Sequence, residues 1–150
     1  MNQLTPPPSA QHVVTVDGEA SIWLATPGVA VQQARGVLSL AIARCFADFY
    51  RPVLEGDARV TIFDDFEELT HYTREAREHL TAFTRERLAH VEVIHFLLSS
   101  KFMALGVGTF KHGIGDPHVR TYSDRLSFLR SYEAAVSSSA SATMVPSGPG

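Results

Sequence analysis

The sequence predicts a single α/β domain built on a mixed, mostly parallel sheet of about five strands with about four helices. Three observations support this fold class. The length of 150 residues suits one domain. The composition, 45% hydrophobic and 19% charged, is typical of a globular chain. Strand-like and helix-like patterns follow one another in the order ββαβαβαβα, which indicates right-handed crossovers and at least one antiparallel strand from the opening hairpin.

The globular part is predicted to span residues 12–136, between two tails. Residues 1–11 contain the run Pro6-Pro7-Pro8 and are expected to form a flexible arm. Residues 137–150 are mostly Ser, Ala, Pro and Gly, with little apolar surface to bury. We therefore expect this C-terminal tail to be disordered.

The first half of the domain is predicted to contain a hairpin, a long helix and a short strand. Residues 12–16 and 20–25 alternate apolar and polar side chains around the turn dipeptide Asp17-Gly18. Apolar residues then recur three and four positions apart over residues 31–54, which predicts the helix. Residues 59–63 form a short strand that ends at an acidic pair.

The second half is predicted to alternate helices and strands. A second helix covers residues 73–89, with Thr73 as its N-cap. Residues 91–98 are apolar on both faces towards their end, as expected of a central strand covered by helices. A third helix, a last strand at residues 119–122 and a helix beginning at Asp124 complete the domain.

The third predicted helix, residues 101–111, is unusually apolar, because no charged residue lies between its two terminal lysines. A helix that is apolar on every side is normally buried on every side, whereas a surface helix buries only one. We therefore predict an interface with a second copy, another protein or an apolar ligand. Its predicted members are Phe102, Met103, Leu105, Val107 and Phe110. The alternative is a helix packed under the closing helix or the N-terminal arm.

Two segments resemble a known family. Residues 60–69, VTIFDDFEEL, read as a strand that ends in acidic residues and leads to a helix; residues 119–124, VRTYSD, lead into the closing helix. They are similar to the strand-Asp-Leu-Ser-Gly segment and the V-R-Y-F-D segment of the STAS superfamily, in its SpoIIAA-like (STAS/SEC14) branch. The resemblance covers roughly residues 12–136. It implies a non-enzymatic regulatory module that acts by protein–protein interaction, in bacterial signalling.

The resemblance also directs attention to the start of the second helix. Anti-sigma-factor antagonists of this fold change partners when a serine of an Asp-Ser pair is phosphorylated there. The matching positions here read Tyr72-Thr73-Arg74-Glu75 and contain no such pair, so that switch does not carry over as written. Thr73 is a candidate phosphosite, because a helix N-terminus favours a phosphate. The alternative is that Thr73 only caps the helix.

A polar crevice is predicted at the carboxyl ends of the third and fourth strands, where ligands of open α/β sheets bind. Its predicted members are Asp64, Asp65, Ser99, Ser100 and Lys101. The alternative is that the serines cap a helix and the lysine pairs with the aspartates.

Two histidine groups have spacings that a metal ion accepts: His71, Glu75 and His79, and His112, Asp116 and His118. Neither matches the H-E-x-x-H signature of zinc enzymes, and solvated surface histidines are the favoured interpretation. No nucleophile with its base can be assigned from spacing. The sequence therefore predicts no metal, no cofactor and no catalytic residue.

The remaining features limit which partners and which cellular compartment are expected. The net charge of −3 and the pI near 6.1 give no indication that the protein binds nucleic acid. The single cysteine, Cys45, fits a reducing compartment, and neither a secretory signal nor a transmembrane segment is evident. We expect a cytoplasmic protein.

A second function class stays open beside protein–protein interaction. The SEC14-type resemblance and the cluster of Phe96, Phe102, Met103 and Phe110 favour binding or sensing of a lipid-like or small apolar ligand. A small metal-binding protein or enzyme is the least favoured class.

Overall fold

A six-stranded sheet forms the centre of the molecule in the computed structural model, which describes residues 4–115 and 118–144. The spatial order of the strands equals their order in the chain. The strands are β1 Gln11–Val14, β2 Gly18–Thr26, β3 Val29–Leu38, β4 Val60–Tyr72, β5 Val91–Leu98 and β6 Val119–Tyr122. β1, β2 and β3 pair antiparallel, whereas β3 to β6 pair parallel. The predicted mixed, mostly parallel sheet is therefore confirmed, with one strand more than expected.

Four helices cover the two faces of this sheet. They are α1 Leu40–Val53, α2 Arg74–Glu86, α3 Lys101–Ile114 and α4 Arg125–Met144, with a short 3-10 turn at Leu88–His90. The first three begin with a hydroxyl side chain that accepts a hydrogen bond from the backbone N–H three residues later, at Ser39, Thr73 and Ser100. Asp124 does the same for α4.

The first predicted helix is wrong over its first third, because residues 31–38 belong to β3. This strand is buried on both faces: Val29 and Val31 pack towards α4, and Ala30 and Ala34 towards α1. A strand buried on both sides is apolar at most positions, so it also satisfies a helical spacing. Near its end, Gly36 has a φ of +76°, and a Cβ there would lie 2.4 Å from a backbone carbonyl oxygen.

The strand predicted at residues 59–63 is in fact much longer. β4 continues through the acidic pair to Tyr72. Asp64 and Asp65 are both buried and both have side-chain partners, so they do not end the strand. The sequence predicted that the strand ends before these two residues, because acidic residues are depleted in strands.

Both predicted tails contain ordered structure. α4 continues past residue 137, the expected start of disorder, to Met144, and the Ser139 hydroxyl bonds that of Thr26 at 2.9 Å. At the other end, Leu4 and Ala10 are buried against Trp23. The remaining tail positions, residues 1–3 and 145–150, lie outside the described residues.

The sheet separates two hydrophobic cores. The larger lies under α1, α2 and α3 and contains Phe46, Phe66 and Leu69; the smaller lies under α4 and contains Phe63 and Phe128. Among the described residues, none of the helices has the length and apolar character needed to cross a membrane.

Candidate functional site

A cavity of about 90 Å³ lies in the larger core, between the sheet and α1, α2 and α3. Its wall is mostly apolar. β4, β5 and α3 contribute the apolar side chains of Ile62, Phe66, Phe96, Met103, Val107 and Phe110. The inner side of α3 closes this cavity, which accounts for its apolar side chains.

The outer part of the cavity is formed by half-buried side chains, among them Tyr72, Arg77 and Thr84. Gly106 of α3 lets the Tyr72 ring approach the helix, since a Cβ at this position would lie 2.4 Å from the ring. The Arg77 guanidinium lies 5.9 Å from the centroid of the same ring. These contacts place a ring and a cation at the outer end.

The inner part of the cavity carries three polar side chains: Gln32 from β3, Asp64 from β4 and Tyr50 from α1. Gln32 and Asp64 are paired in the parallel register, and the Gln32 side-chain amide donates to Asp64 Oδ1. The three residues are only 6%, 4% and 4% exposed, in the order Gln32, Asp64, Tyr50. Within the described residues, Gln32 Oε1 and the Tyr50 hydroxyl have no hydrogen-bond partner. We call these three residues the polar end of the cavity.

Burial controls the protonation of the polar end. It raises the pKa of the Asp64 carboxyl well above its usual value, and the hydrogen bond from Gln32 only partly opposes this. Burial also raises the pKa of Tyr50, with a further contribution from nearby Asp64. Both effects favour the uncharged forms, so the polar end offers neutral donors and acceptors.

We expect Asp64→Asn to change how stability depends on pH. Because the folded-state pKa of Asp64 is raised, its contribution is fully present below the unfolded pKa, near 3.8, and is lost as the pH rises through the folded pKa. One proton corresponds to at most about 1.4 kcal/mol per pH unit. Urea unfolding from pH 4 to 8 should therefore show the variant gaining stability relative to the wild type as the pH rises.

Asparagine keeps an oxygen that accepts from Gln32, so the variant tests the charge alone. Asp48→Asn, at an exposed position of α1, is the matched control and should follow the wild-type curve. Parallel curves for Asp64→Asn and the wild type would contradict the prediction.

The structure does not bring the five residues of the predicted crevice together. Side chains alternate along a strand, so Asp64 faces the cavity and Asp65 faces α4. Ser99 donates to the Glu67 carbonyl at 2.6 Å, and Ser100 caps α3, as the alternative interpretation expected. Lys101 is exposed.

The partner of Asp65 is a residue that the sequence did not indicate. Arg125, at the start of α4, donates to both carboxylate oxygens of Asp65 at 3.1 and 2.9 Å and also contacts Glu67 at 3.3 Å. The side chains of Arg125 and Asp65 are both largely buried. This ion pair joins α4 to the centre of the sheet.

The predicted interface residues divide into two groups. Met103, Val107 and Phe110 are buried in the larger core and line the cavity, so they do not face a partner protein. Phe102 and Leu105 are 42% and 71% exposed. The predicted set is therefore wrong as one continuous outer surface.

Phe102 belongs to a group of stacked rings in which Phe102 and His71 are exposed and Tyr72 is half-buried. Its ring stacks on His71 and Tyr72, with centroid distances of 4.8 and 4.9 Å. Leu105 lies three residues further along α3, on the same side of the helix. We call His71, Tyr72, Phe102 and Leu105 the aromatic surface.

Thr73 directly follows the aromatic surface and is the N-cap of α2. Its hydroxyl accepts a hydrogen bond from the Ala76 backbone at 3.1 Å, and its own backbone N–H donates to the Leu38 carbonyl at 3.0 Å. The capping role expected from the sequence is therefore present.

The histidine groups do not form a metal site in the part of the chain that is described. His71 stacks in the aromatic surface, and His118 Nδ1 contacts the Glu92 carbonyl oxygen at 3.0 Å. Over residues 4–115 and 118–144, no three His, Cys, Asp or Glu side chains are arranged to hold a metal ion. Asp116 lies outside the described residues.

His95 is a buried titratable group on the opposite face of the sheet. Its ring stacks on Phe63 with a centroid distance of 4.3 Å, and its Nδ1 lies 2.8 Å from the Tyr122 hydroxyl. Burial, followed by the nearby Arg120 cation, lowers its pKa to about 4. The ring is therefore neutral at pH 7.

Solved structures share this architecture. The unphosphorylated anti-sigma factor antagonist SpoIIAA superposes with a TM-score of 0.57 at 17% identity, over 76% of this chain and 96% of its own. The chain has a SpoIIAA-like, STAS-type fold. SpoIIAA in its phosphorylated form, described as a Bacillus cell fate determinant, gives a TM-score of 0.52 at 17% identity, over 75% of this chain and 98% of its own.

A third similar structure is an uncharacterized protein of the DUF3478 family from Shewanella loihica PV-4. It has a SpoIIAA-like fold and a TM-score of 0.55 at 10% identity, over 81% of this chain and 90% of its own. Neither the family models nor the curated proteins give a match to the sequence. The superpositions establish the STAS-type fold.

Proposed function

We propose that this STAS-type chain is a non-enzymatic regulatory module that binds a different protein through its aromatic surface. The observation that carries the proposal is the exposure of Phe102 and Leu105 beside two stacked rings. Aromatic side chains dominate the small set of residues that supply most of the binding energy at protein interfaces. SpoIIAA, which shares the fold, is named an anti-sigma factor antagonist, and that name describes action on another protein.

A hetero-partner fits this surface better than a second copy does. Stable interfaces bury about 800 Å² on each partner, and those of permanent homodimers are larger and more apolar. Two exposed apolar side chains with two rings suit the centre of a transient, regulated interface instead. We propose a bacterial cytoplasmic setting for it.

Thr73 is proposed as a phosphosite that regulates this contact. It lies next to Tyr72 of the aromatic surface and at the N-terminus of α2, where a phosphate is electrostatically favoured. A phosphate would add about two negative charges beside the exposed rings. We therefore expect modification to weaken the binding of an apolar partner segment.

We expect Phe102→Glu with Leu105→Glu to abolish partner binding without unfolding the protein. A charge at the centre of an apolar contact must be desolvated on binding, whereas in the free protein both positions reach solvent. The measurement is quantitative affinity capture from the native cell, with circular dichroism as the test of folding. Leu105→Glu alone, which leaves the stacked rings intact, should show most of the loss.

Leu126→Glu is the matched control, because Leu126 is an exposed leucine on α4, away from the aromatic surface. It should retain every protein that the wild type captures. Capture that survives the double substitution, or that Leu126→Glu reduces equally, would refute the proposal.

Ligand sensing is the second candidate function, and the cavity favours it. A cavity of about 150 Å³ is known to bind benzene, so about 90 Å³ suits a small molecule better than a lipid chain. The polar end offers hydrogen-bonding groups but no nucleophile paired with a base, which supports binding over catalysis.

A further inference from the structure

We propose that the cavity binds a small neutral amide, with the amide group at the polar end and its short alkyl part against the apolar wall. This inference rests on the second candidate function, ligand binding, and the cavity shares only Tyr72 with the aromatic surface. It assigns a chemical class to the ligand and roles to Gln32 and Tyr50.

Two polar atoms at the polar end of the cavity lack hydrogen-bond partners. Gln32 Oε1 and the Tyr50 hydroxyl are buried and have no hydrogen-bond partner among the described residues. Buried polar groups in native proteins are almost always bonded, because leaving one unpaired destabilises the fold. Two such atoms lining the same cavity indicate that a bound molecule completes their hydrogen bonds.

The unpaired donor and acceptor at the polar end match those of an amide group. The Gln32 amide nitrogen already donates to Asp64, so its free atom, Oε1, requires a donor. The Tyr50 hydroxyl carries a proton to donate. A primary amide supplies N–H groups for Gln32 and a carbonyl oxygen for Tyr50 from a single planar group.

The surroundings of the polar end also restrict the charge of the ligand. An ammonium ligand would have to form an ion pair with Asp64 inside the apolar core, where burial favours the neutral carboxylic acid. A carboxylate ligand would face Asp64 with no cation at the polar end, since Arg77 lies at the outer part of the cavity. An ion that enters an apolar site without a counter-charge loses its hydration uncompensated. The polar end therefore selects a neutral ligand.

The cavity volume limits the size of the ligand. By proportion to benzene in about 150 Å³, a volume of about 90 Å³ accommodates about four non-hydrogen atoms. The half-buried Tyr72 and Thr84 mark the direction in which a longer alkyl chain would extend. Propionamide, with five non-hydrogen atoms, is a suitable probe, because its terminal methyl group can extend in this direction.

The test uses the full chain with 13C-labelled methionine methyl groups. Met103 lines the cavity, and the sequence contains two further methionines, Met1 and Met144. Propionamide should shift the Met103 methyl signal saturably, with a Kd in roughly the millimolar range expected for so small a ligand. Propionate and propylamine should bind at least about fivefold more weakly.

Tyr50→Phe tests the assigned role of the hydroxyl. It retains the ring, so the protein should stay folded and become more resistant to urea, because an unpaired buried hydroxyl has been removed. Propionamide should bind about tenfold more weakly, as expected for the loss of one hydrogen bond. Leu105→Glu, at an exposed position that does not line the cavity, should leave propionamide binding unchanged.

Three outcomes would overturn the inference. They are the absence of a saturable Met103 shift with propionamide, equal affinity for the amide and the two ions, and unchanged amide binding in Tyr50→Phe. Xenon, a single atom that binds in dry apolar cavities, distinguishes ligand binding from the amide assignment. If xenon shifts the Met103 signal and propionamide does not, ligand binding stands and the amide assignment fails; if neither shifts it, both fail.

Discussion

Arg125→Ala is expected to lower the free energy of unfolding by about 3 kcal/mol. Arg125 forms two hydrogen bonds to the carboxylate of Asp65, and both side chains are largely buried. Removing one partner of a buried ion pair leaves the other charge desolvated and uncompensated, which typically costs about 3–5 kcal/mol. Gln33, whose amide lies 3.3 Å from Asp65, compensates only part of this loss. Urea unfolding at pH 7 measures the change.

The control for this prediction is an ion pair in solvent. Arg74→Ala removes the pair with Glu78 on the exposed side of α2 and should cost less than about 1 kcal/mol. In the double variant Asp65→Ala with Arg125→Ala, the buried charge is gone, so the loss should be smaller than the sum of the single losses. A cost for Arg125→Ala no greater than that for Arg74→Ala would contradict the assigned role.

Lowering the pH from 7 to 4 is expected to remove up to about 3 kcal/mol of stability through His95. Its pKa is about 4 in the folded protein, below the ordinary 6.5, so the unfolded chain binds the proton first as the pH falls. The contribution of the neutral ring is fully present above pH 6.5 and is lost as the pH falls to about 4, at about 1.4 kcal/mol per pH unit. His95→Gln should remove this dependence.

The readout is the difference in unfolding free energy between the wild type and His95→Gln at each pH. This difference matters because Asp64 changes stability in the opposite direction and partly masks His95 in the wild type. His118→Gln, which replaces a histidine outside the two hydrophobic cores, is the control and should keep the wild-type slope. A difference that stays constant between pH 7 and 4 would exclude the mechanism.

The second half of the fold was predictable because local rules determine it. Thr73 and Ser100 cap their helices as the sequence indicated, and strands β5 and β6 have the predicted bounds. The first half depends on tertiary burial. β3 is covered on both faces, which removes the alternation that distinguishes a half-buried strand from a helix.

The candidate site was largely hidden from the sequence for a related reason. Gln32 and Asp64 meet through the pairing of β3 with β4, across 32 positions of the chain. Before that register is known, a glutamine within an apolar segment reads as a position on the polar side of a helix. Likewise, the uniformly apolar α3 gave no pattern to separate inward Met103 from outward Leu105.

The equality of strand order in space and in sequence has a consequence for how the molecule assembles and opens. Each strand pairs only with its neighbours in the chain, so no strand has to enter between two that are already joined. The outermost strands, β1 and β6, have four residues each, whereas the interior strand β4 has thirteen. Either outer strand can detach without altering any other pairing. Local opening should therefore proceed from the two margins inward, with the β3–β4–β5 ladder as the last cooperative unit to separate.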